Sequence, residues 1–129
     1  MSIDADISTS EDLFGKTVED LQEGLTVSST GISGTSKYVS DYTGFSSNVS
    51  MQSGNYIVIH CAVPNVDDAT ITVEVVNGVS GARTLDPDGL IVLRIADKDT
   101  QSIRVVASKT GCESVTKNLS LTGLTLETA

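Results

Sequence analysis

An alternation of apolar and polar side chains between residues 70 and 76 constrains the fold of this chain more than any other feature. In "TITVEVV", Ile71, Val73 and Val75 are apolar, and the residues between them are mostly polar. This period of two predicts a strand with one face in a core and the other in solvent. Comparable short runs recur about every ten residues and are separated by turn residues, which is typical of an all-β domain.

The other runs that predict strands lie between residue 25 and the C-terminus. They read "LTVSST", "TSKYVSDYT", "YIVIHCAV", "GARTL", "LIVLRI", "SIRVVAS" and "SVTKNLSL". The run "YIVIHCAV" is apolar on both faces, as expected of a strand in the middle of a sheet, while "GISG" and "DPDG" are typical of turns. We therefore predict an immunoglobulin-like β-sandwich of about seven strands over residues 25–129, with a small barrel as the alternative. Five residues of two strands are expected to point inward: Ile91, Leu93, Ile95, Ile103 and Val105.

Residues 1–24 differ from the rest of the chain in charge. They hold seven acidic side chains and one lysine, a net charge of −6 out of −9 for the whole chain. Within them "TVEDLQEG" has a capping residue at Thr17, an acidic residue at Asp20 and a stop at Gly24, which predicts one short helix. The sequence thus predicts an acidic, poorly ordered N-terminal arm with one short helix, which becomes ordered on contact with another chain.

The charge and hydropathy of the chain limit its partners. With 17 acidic and 8 basic residues, the chain should repel phosphate backbones, so we expect no nucleic-acid partner. The sequence contains no run of 18 apolar residues, so we expect no membrane span. The acidic start "MSIDADISTSEDLF" lacks the features of a signal peptide. Cys61 in a strand and Cys112 in a turn are expected to remain free thiols, consistent with synthesis in a host cytoplasm.

No pattern in the sequence predicts catalysis. His60 and Cys61 are adjacent, so on a strand their side chains point to opposite faces and cannot act as a base and a nucleophile. The run "DPDGL" lacks the further ligands of a calcium loop, and "GISGT" does not match a nucleophile elbow. We therefore expect a protein that is not an enzyme, with no catalytic residue, no metal site and no cofactor.

Four of the five aromatic side chains lie between residues 37 and 56, in "KYVSDYTGFSSNVSMQSGNY". One interpretation is that Tyr38 and Tyr56 are strand residues that contribute ring surface to the sandwich. The other is that Tyr42 and Phe45 lie on a Ser- and Gly-rich excursion and contact a partner, because aromatic rings are favoured contact anchors. We predict a partner contact at Tyr42 and Phe45, together with the apolar pair Leu13 and Phe14 of the arm.

Several runs of the sequence resemble a group of small virion proteins of tailed bacteriophages and prophages of Gram-positive bacteria. The most specific are "YTGFS", "SGNY" and "LDPDGL", within a likeness that covers most of residues 35–127. The resemblance implies a structural protein of the phage head, a decoration or accessory protein that is located in the virion. Its partners would be the major capsid protein, another virion protein or a second copy of the chain. The alternative is an immunoglobulin-like binding module of a bacterial cell-surface or carbohydrate-recognising protein.

Overall fold

The structure is a computed structural model, and it describes residues 2–10, 12–13, 16–40, 53–76, 82–84, 89–95 and 101–128. These residues form β-strands joined by turns and short loops, and no helix occurs among them. The strands are β1 (Asp6–Thr9), β2 (Asp12–Leu13), β3 (Lys16–Thr17), β4 (Gln22–Val27), β5 (Gly31–Ser36), β6 (Tyr38–Val39), β7 (Gly54–Ala62), β8 (Thr70–Val76), β9 (Ala82–Thr84), β10 (Leu90–Ile95), β11 (Ser102–Ser108) and β12 (Val115–Leu126).

The strands form two five-stranded sheets and one small pair. Sheet I has the order β1-β7-β10-β9, and β6 also pairs with β7. Sheet II has the order β4-β5-β12-β11-β8, and its pairs are antiparallel except that β5 and β12 run parallel. The strands β2 and β3 pair with each other. The prediction of an all-β domain built from two sheets is confirmed.

The main core lies between the two sheets. Sheet I contributes Ile57, Ile59, Ile91 and Leu93, all fully buried. The residues that sheet II places against them are Ile32, Ile103, Val105, Ala107, Leu119 and Leu121. The predicted inward residues of β10 and β11 are therefore confirmed, and Ile71 and Val73 of β8 are half-buried against the same core. The side chain of Val75 is outside the described part of the chain.

A second, smaller core covers the outer face of sheet I. It is formed by β6, β7 and β10 on one side and by residues that precede β4 on the other. The residues from the sheet are Val39, Tyr56, Val58, Leu90 and Val92, and those that cover them are Val18 and Leu21. The middle strands of sheet I are therefore buried on both faces, as the apolar run of β7 predicts.

The predicted helix at residues 17–24 is wrong. Val18 accepts hydrogen bonds from the N–H groups of Leu21 (2.9 Å) and Gln22 (3.1 Å), which closes a single turn, and β4 then begins at Gln22. Gly24 does adopt the positive φ (61°) that a helix stop requires, but it does so at a register shift between β4 and β5. One turn of helix is unstable by itself, and pairing with β5 offers this segment a longer ladder.

Two further expectations differ from the structure. The run "GISG", predicted to be a turn, begins β5, and the chain turns earlier, where the Ser28 N–H donates to the Gly31 carbonyl oxygen at 2.8 Å. Residues 2–10 pack onto the sandwich, since β1 pairs with β7 and Ile3 and Ala5 are buried in the main core. The expected separate arm is therefore not seen in residues 2–10 and 16–24, and β4 continues across the predicted boundary at residue 24.

Candidate functional site

The four predicted contact residues fall in two parts of the sequence. Leu13 and Phe14 precede β3, and Tyr42 and Phe45 lie between β6 and β7. Phe14, Tyr42 and Phe45 are outside the described residues. Leu13 belongs to β2, which pairs with β3, but its side chain is also outside the described part. The contact itself therefore stays a prediction, and the structure describes the strands that flank residues 41–52 in the chain.

Residues 40 and 53 adjoin residues 41–52, and β6 and β7 hold them side by side. Tyr38 is paired with Asn55, and Val39 with Gly54, in an antiparallel register. The chain thus leaves sheet I at Ser40 and returns to it at Ser53. Two antiparallel strands that follow each other in the chain form a hairpin. Residues 41–52, which include Tyr42 and Phe45 and are called the aromatic segment below, therefore start and end at one edge of sheet I.

Arg94 fixes the returning end of the segment. Its Nε and Nη2 atoms donate hydrogen bonds of 3.2 and 3.1 Å to the carbonyl oxygen of Ser53. The side chain reaches this oxygen by passing over Gly54, where a Cβ atom would lie 2.8 Å from the Arg94 Nε. A side chain at position 54 would displace the Arg94 side chain, and the φ of 154° at Gly54 is one that residues other than glycine rarely adopt. The run "SGNY" supplies this glycine.

Asn55 joins the same end to the C-terminal strand. Its Nδ2 atom donates to the carbonyl oxygens of Ser36 (3.1 Å) and Glu127 (2.8 Å). The Glu127 N–H donates in turn to the Ser36 carbonyl oxygen at 2.9 Å. The base of the hairpin is thus linked to both sheets, because Ser36 and Glu127 lie at the ends of paired strands of sheet II.

Two buried polar side chains complete the edge of β7 between β1 and β6. The Val58 N–H donates to Oε1 of Gln22 at 2.7 Å, and Gln22 Nε2 donates to the carbonyl oxygens of Val58 and Ser10 at 3.4 Å. Ser36 Oγ donates to the Tyr56 carbonyl oxygen at 2.8 Å. Since β1 pairs with residues 59–62 and β6 with residues 54–55, the side chains of Gln22 and Ser36 replace a missing ladder partner.

No pattern in the sequence singles out Gln22, Ser36, Asn55 or Arg94. Each acts on main-chain groups that are distant in the chain, and polar residues near turns are ordinarily exposed. The one signal for Gln22 is its position at the start of a strand, one residue after the buried Leu21 and four after the buried Val18. The interpretation of Tyr56 as a strand residue within the sandwich is confirmed, since it is 5% exposed, and Tyr38 is half-buried in β6.

Three titratable or nucleophilic side chains lie in or near the main core: His60, Cys61 and Cys112. His60 is half-buried in β7, and both cysteines are free thiols. Burial raises the pKa of the Cys61 thiol, the Asp6 carboxylate raises it further, and Lys117 acts in the opposite direction. Cys61 is thus held in the neutral form, which is the unreactive one.

Neither a cluster of metal ligands nor a membrane-spanning helix occurs among the described residues. In that part of the chain, no three His, Cys, Asp or Glu side chains lie together in a way that could hold a metal ion. The same residues include no helix with the length and apolar character that a membrane crossing would need. The run "DPDG" lies outside the described residues except for Gly89.

Comparison of the chain with protein-family models, with curated proteins and with solved structures gave no match. The function is therefore inferred from the residues of this chain and from the geometry described above.

Proposed function

We propose that this chain is a structural, non-enzymatic virion protein of a tailed bacteriophage, a head decoration or accessory protein that binds the capsid surface. The motifs "YTGFS", "SGNY" and "LDPDGL" support it through their resemblance to such proteins. We further propose that the sandwich is of immunoglobulin-like type, which the spacing of the strands and the two sheets support.

The observation that carries the proposal is the fixed base of the aromatic segment. Arg94 and Asn55 donate four hydrogen bonds between them to main-chain carbonyl oxygens around Ser53, Ser36 and Glu127. A binding segment whose ends are held in place loses less conformational entropy on association. Tyr42 and Phe45 would contact the capsid protein from this base, with Leu13 and Phe14 beside them.

The capsid contact is tested by replacing both rings. We expect Tyr42→Ser combined with Phe45→Ser to abolish co-sedimentation with capsids of the phage that encodes the chain. Burial of each ring would contribute roughly 1.5–3 kcal/mol to the free energy of binding. A second variant, Leu13→Ser with Phe14→Ser, tests the other predicted pair. The matched control is Val106→Ser, which makes a comparable change on the outer face of sheet II, far from the hairpin.

The result of that experiment separates the proposal from its alternative. Binding that is unchanged in both double variants, with unchanged circular dichroism, would contradict the proposed contact. An immunoglobulin-like module of a cell-surface protein would use the same loop-bearing edge. That alternative predicts instead that the parent chain binds bacterial cell-wall glycans, and that the Tyr42 and Phe45 variant loses this binding.

A further inference from the structure

Residues 2–9 form a terminal segment that pairs with β7 and places apolar side chains in the main core. Ile3 and Ala5 enter the main core with 3% and 7% exposure, and Ile7 is half-buried behind them. Asp4, Asp6 and the residues that follow Ile7 are exposed. The segment therefore inserts one row of apolar side chains between the sheets and turns its polar row outward.

The main-chain and side-chain hydrogen-bond partners of residues 2–9 described here follow them by 50 positions or more. Asp6–Thr9 pair with residues 59–62 of β7. Ahead of them, the Asp4 N–H donates to Asn65 Oδ1, and Asn65 Nδ2 donates to the Ser2 carbonyl oxygen, both at 2.9 Å. The Ile3 N–H donates to the Glu113 carbonyl oxygen at 3.3 Å. None of these contacts depends on the segment and the site belonging to the same chain.

The connection between the segment and the rest of the chain has spare length. The connection between β1 and Val18 comprises residues 10–17, and within it Asp12–Leu13 pair with Lys16–Thr17. Fully extended, these eight residues would span roughly 26–29 Å. That length is about twice the radius of gyration of a domain of this size, which is about 14 Å. Opening this short hairpin would let the segment reach a neighbouring copy.

Among the described residues, no strand pairs with the outer edge of β1. A cleft of about 210 Å³ lies beside Ala5, Asp6 and Ile7, and its other wall is formed by residues 27–29, Lys117 and Leu119. Strand β1 can therefore separate from β7 without breaking a second ladder. A terminal segment that is anchored by a few apolar residues and joined by an extensible linker meets the conditions for exchange between identical chains.

We propose that residues 2–9 of one copy insert into the site formed by β7, Asn65 and Glu113 of a second copy, so that neighbouring copies are linked by exchanged N-terminal strands. The same contacts form in either case, so the effective concentration of the chain's own segment decides the outcome. That concentration is about 1 mM for a short flexible linker. Dilute protein is then monomeric, and copies held side by side exchange strands. The proposal goes beyond capsid binding and does not depend on it.

Cysteine pairing between two different chains tests the exchange. Ser8 and His60 are direct partners in the ladder of β1 and β7, at a separation that suits a disulfide. One chain carries Ser8→Cys and the other His60→Cys, each with Cys112→Ser. The two are mixed in denaturant, refolded together at about 1 mM, the range of the effective concentration, and oxidised. We expect a disulfide between residue 8 of one chain and residue 60 of the other, identified by peptide mapping.

The matched control replaces His60→Cys by Thr116→Cys, an exposed position of β12 outside the ladder of β1. We expect at least about tenfold more mixed disulfide with position 60 than with position 116, since register contact raises the effective concentration. Equal yields from folded chains would overturn the proposal. The unmodified chain, refolded at the same concentration and sized after dilution, should give a slowly dissociating dimer, and a purely monomeric profile would overturn it as well. Both measurements use the protein without capsids, so they fail or succeed separately from the proposed function.

Discussion

The two sheets of the sandwich have outer faces of opposite character. On sheet II, Arg104 lies between Glu74 and Asn118 in register, and the neighbouring row places Val106 between Thr72 and Thr116. Four of these six side chains are exposed, and Arg104 and Val106 are half-buried. On sheet I, Tyr56, Val58, Leu90 and Val92 point outward and are buried, because Val18 and Leu21 cover them. The outward residues beyond them, His60 and Arg94, are half-buried.

This difference shows what an apolar run in the sequence requires. A strand that alternates, such as β8 or β11, is complete once a single sheet covers its apolar face. A strand that is apolar on both faces, such as β7, needs a second cover, and here the cover comes from Val18 and Leu21, which precede it in the chain. Two apolar residues of the acidic N-terminal part therefore pack against the outer face of sheet I.

A charge placed at equivalent positions on the two outer faces should produce the largest contrast. Val92 of β10 is 5% exposed beneath the second core, whereas Val106 of β11 is half-buried on a polar face. We expect Val92→Asp to lower the free energy of unfolding by several kcal/mol, because it places an unpaired carboxylate in an apolar site. Val106→Asp should change it by no more than about 1 kcal/mol. Urea unfolding measures both, and equal losses would show that the outer face of sheet I is not covered.

Truncation of the cover itself should have the next largest effect. Leu21 is fully buried against the outer face of sheet I. We expect Leu21→Ala to cost about 2–5 kcal/mol of unfolding free energy, the range for a buried leucine that leaves a cavity. The control is Leu124→Ala in β12, where the side chain is half-buried at the margin of the main core and the loss should be smaller. A Leu21 variant as stable as the parent would mean that residues 18–21 do not pack there.

The same contrast explains how far the sequence could predict this fold. The main core of β10 and β11 follows from alternation alone, so Ile91, Leu93, Ile103 and Val105 were identified correctly. The second core does not follow from it, since Leu90 and Val92 need a cover that no local pattern specifies. Val18 and Leu21 have helical spacing, and that spacing led to the wrong prediction of a helix.

The candidate site was predictable only in part for a related reason. The concentration of aromatic residues between 37 and 56 indicates where a partner contact could lie, but Arg94 and Asn55 act through main-chain oxygens that are 41 and up to 72 residues away. The parallel pairing of β5 with β12, which brings Ser36 beside Glu127, is likewise a long-range event. Hydrogen bonds to distant main-chain groups leave no periodic signal in the sequence.

The side-chain amide of Gln22 provides a sharper test of the edge of sheet I. Gln22→Leu keeps a similar volume but leaves the Val58 N–H without its acceptor at 2.7 Å. We expect a loss of about 1–3 kcal/mol in unfolding free energy, the range for a buried donor that is left unsatisfied. Hydrogen exchange should show faster exchange of the Val58 amide. Glu23→Leu, at the exposed neighbouring position, is the control and should change stability little. Unchanged exchange at Val58 would contradict the role assigned to Gln22.

Two arginines on the two outer faces provide the smallest and most specific comparison. Arg104 Nη1 lies 3.1 Å from Glu74 Oε2 on sheet II, and the two side chains are 43% and 67% exposed. Solvent screens an ion pair at such exposure, so we expect Arg104→Ala to lower the unfolding free energy by roughly 0–1 kcal/mol, and the loss should vanish at high salt.

Arg94→Ala should differ from it in both size and salt dependence. Arg94 donates to the uncharged Ser53 carbonyl oxygen and is half-buried, so its loss should be about 1 kcal/mol and nearly independent of salt. The two variants are compared by urea unfolding at low and at high sodium chloride concentration. If Arg94→Ala is neutral while Arg104→Ala is costly, then the base of the aromatic segment is not held by Arg94. The segment would in that case enter a partner contact without a fixed end, and the physical support for the proposed binding site would be lost.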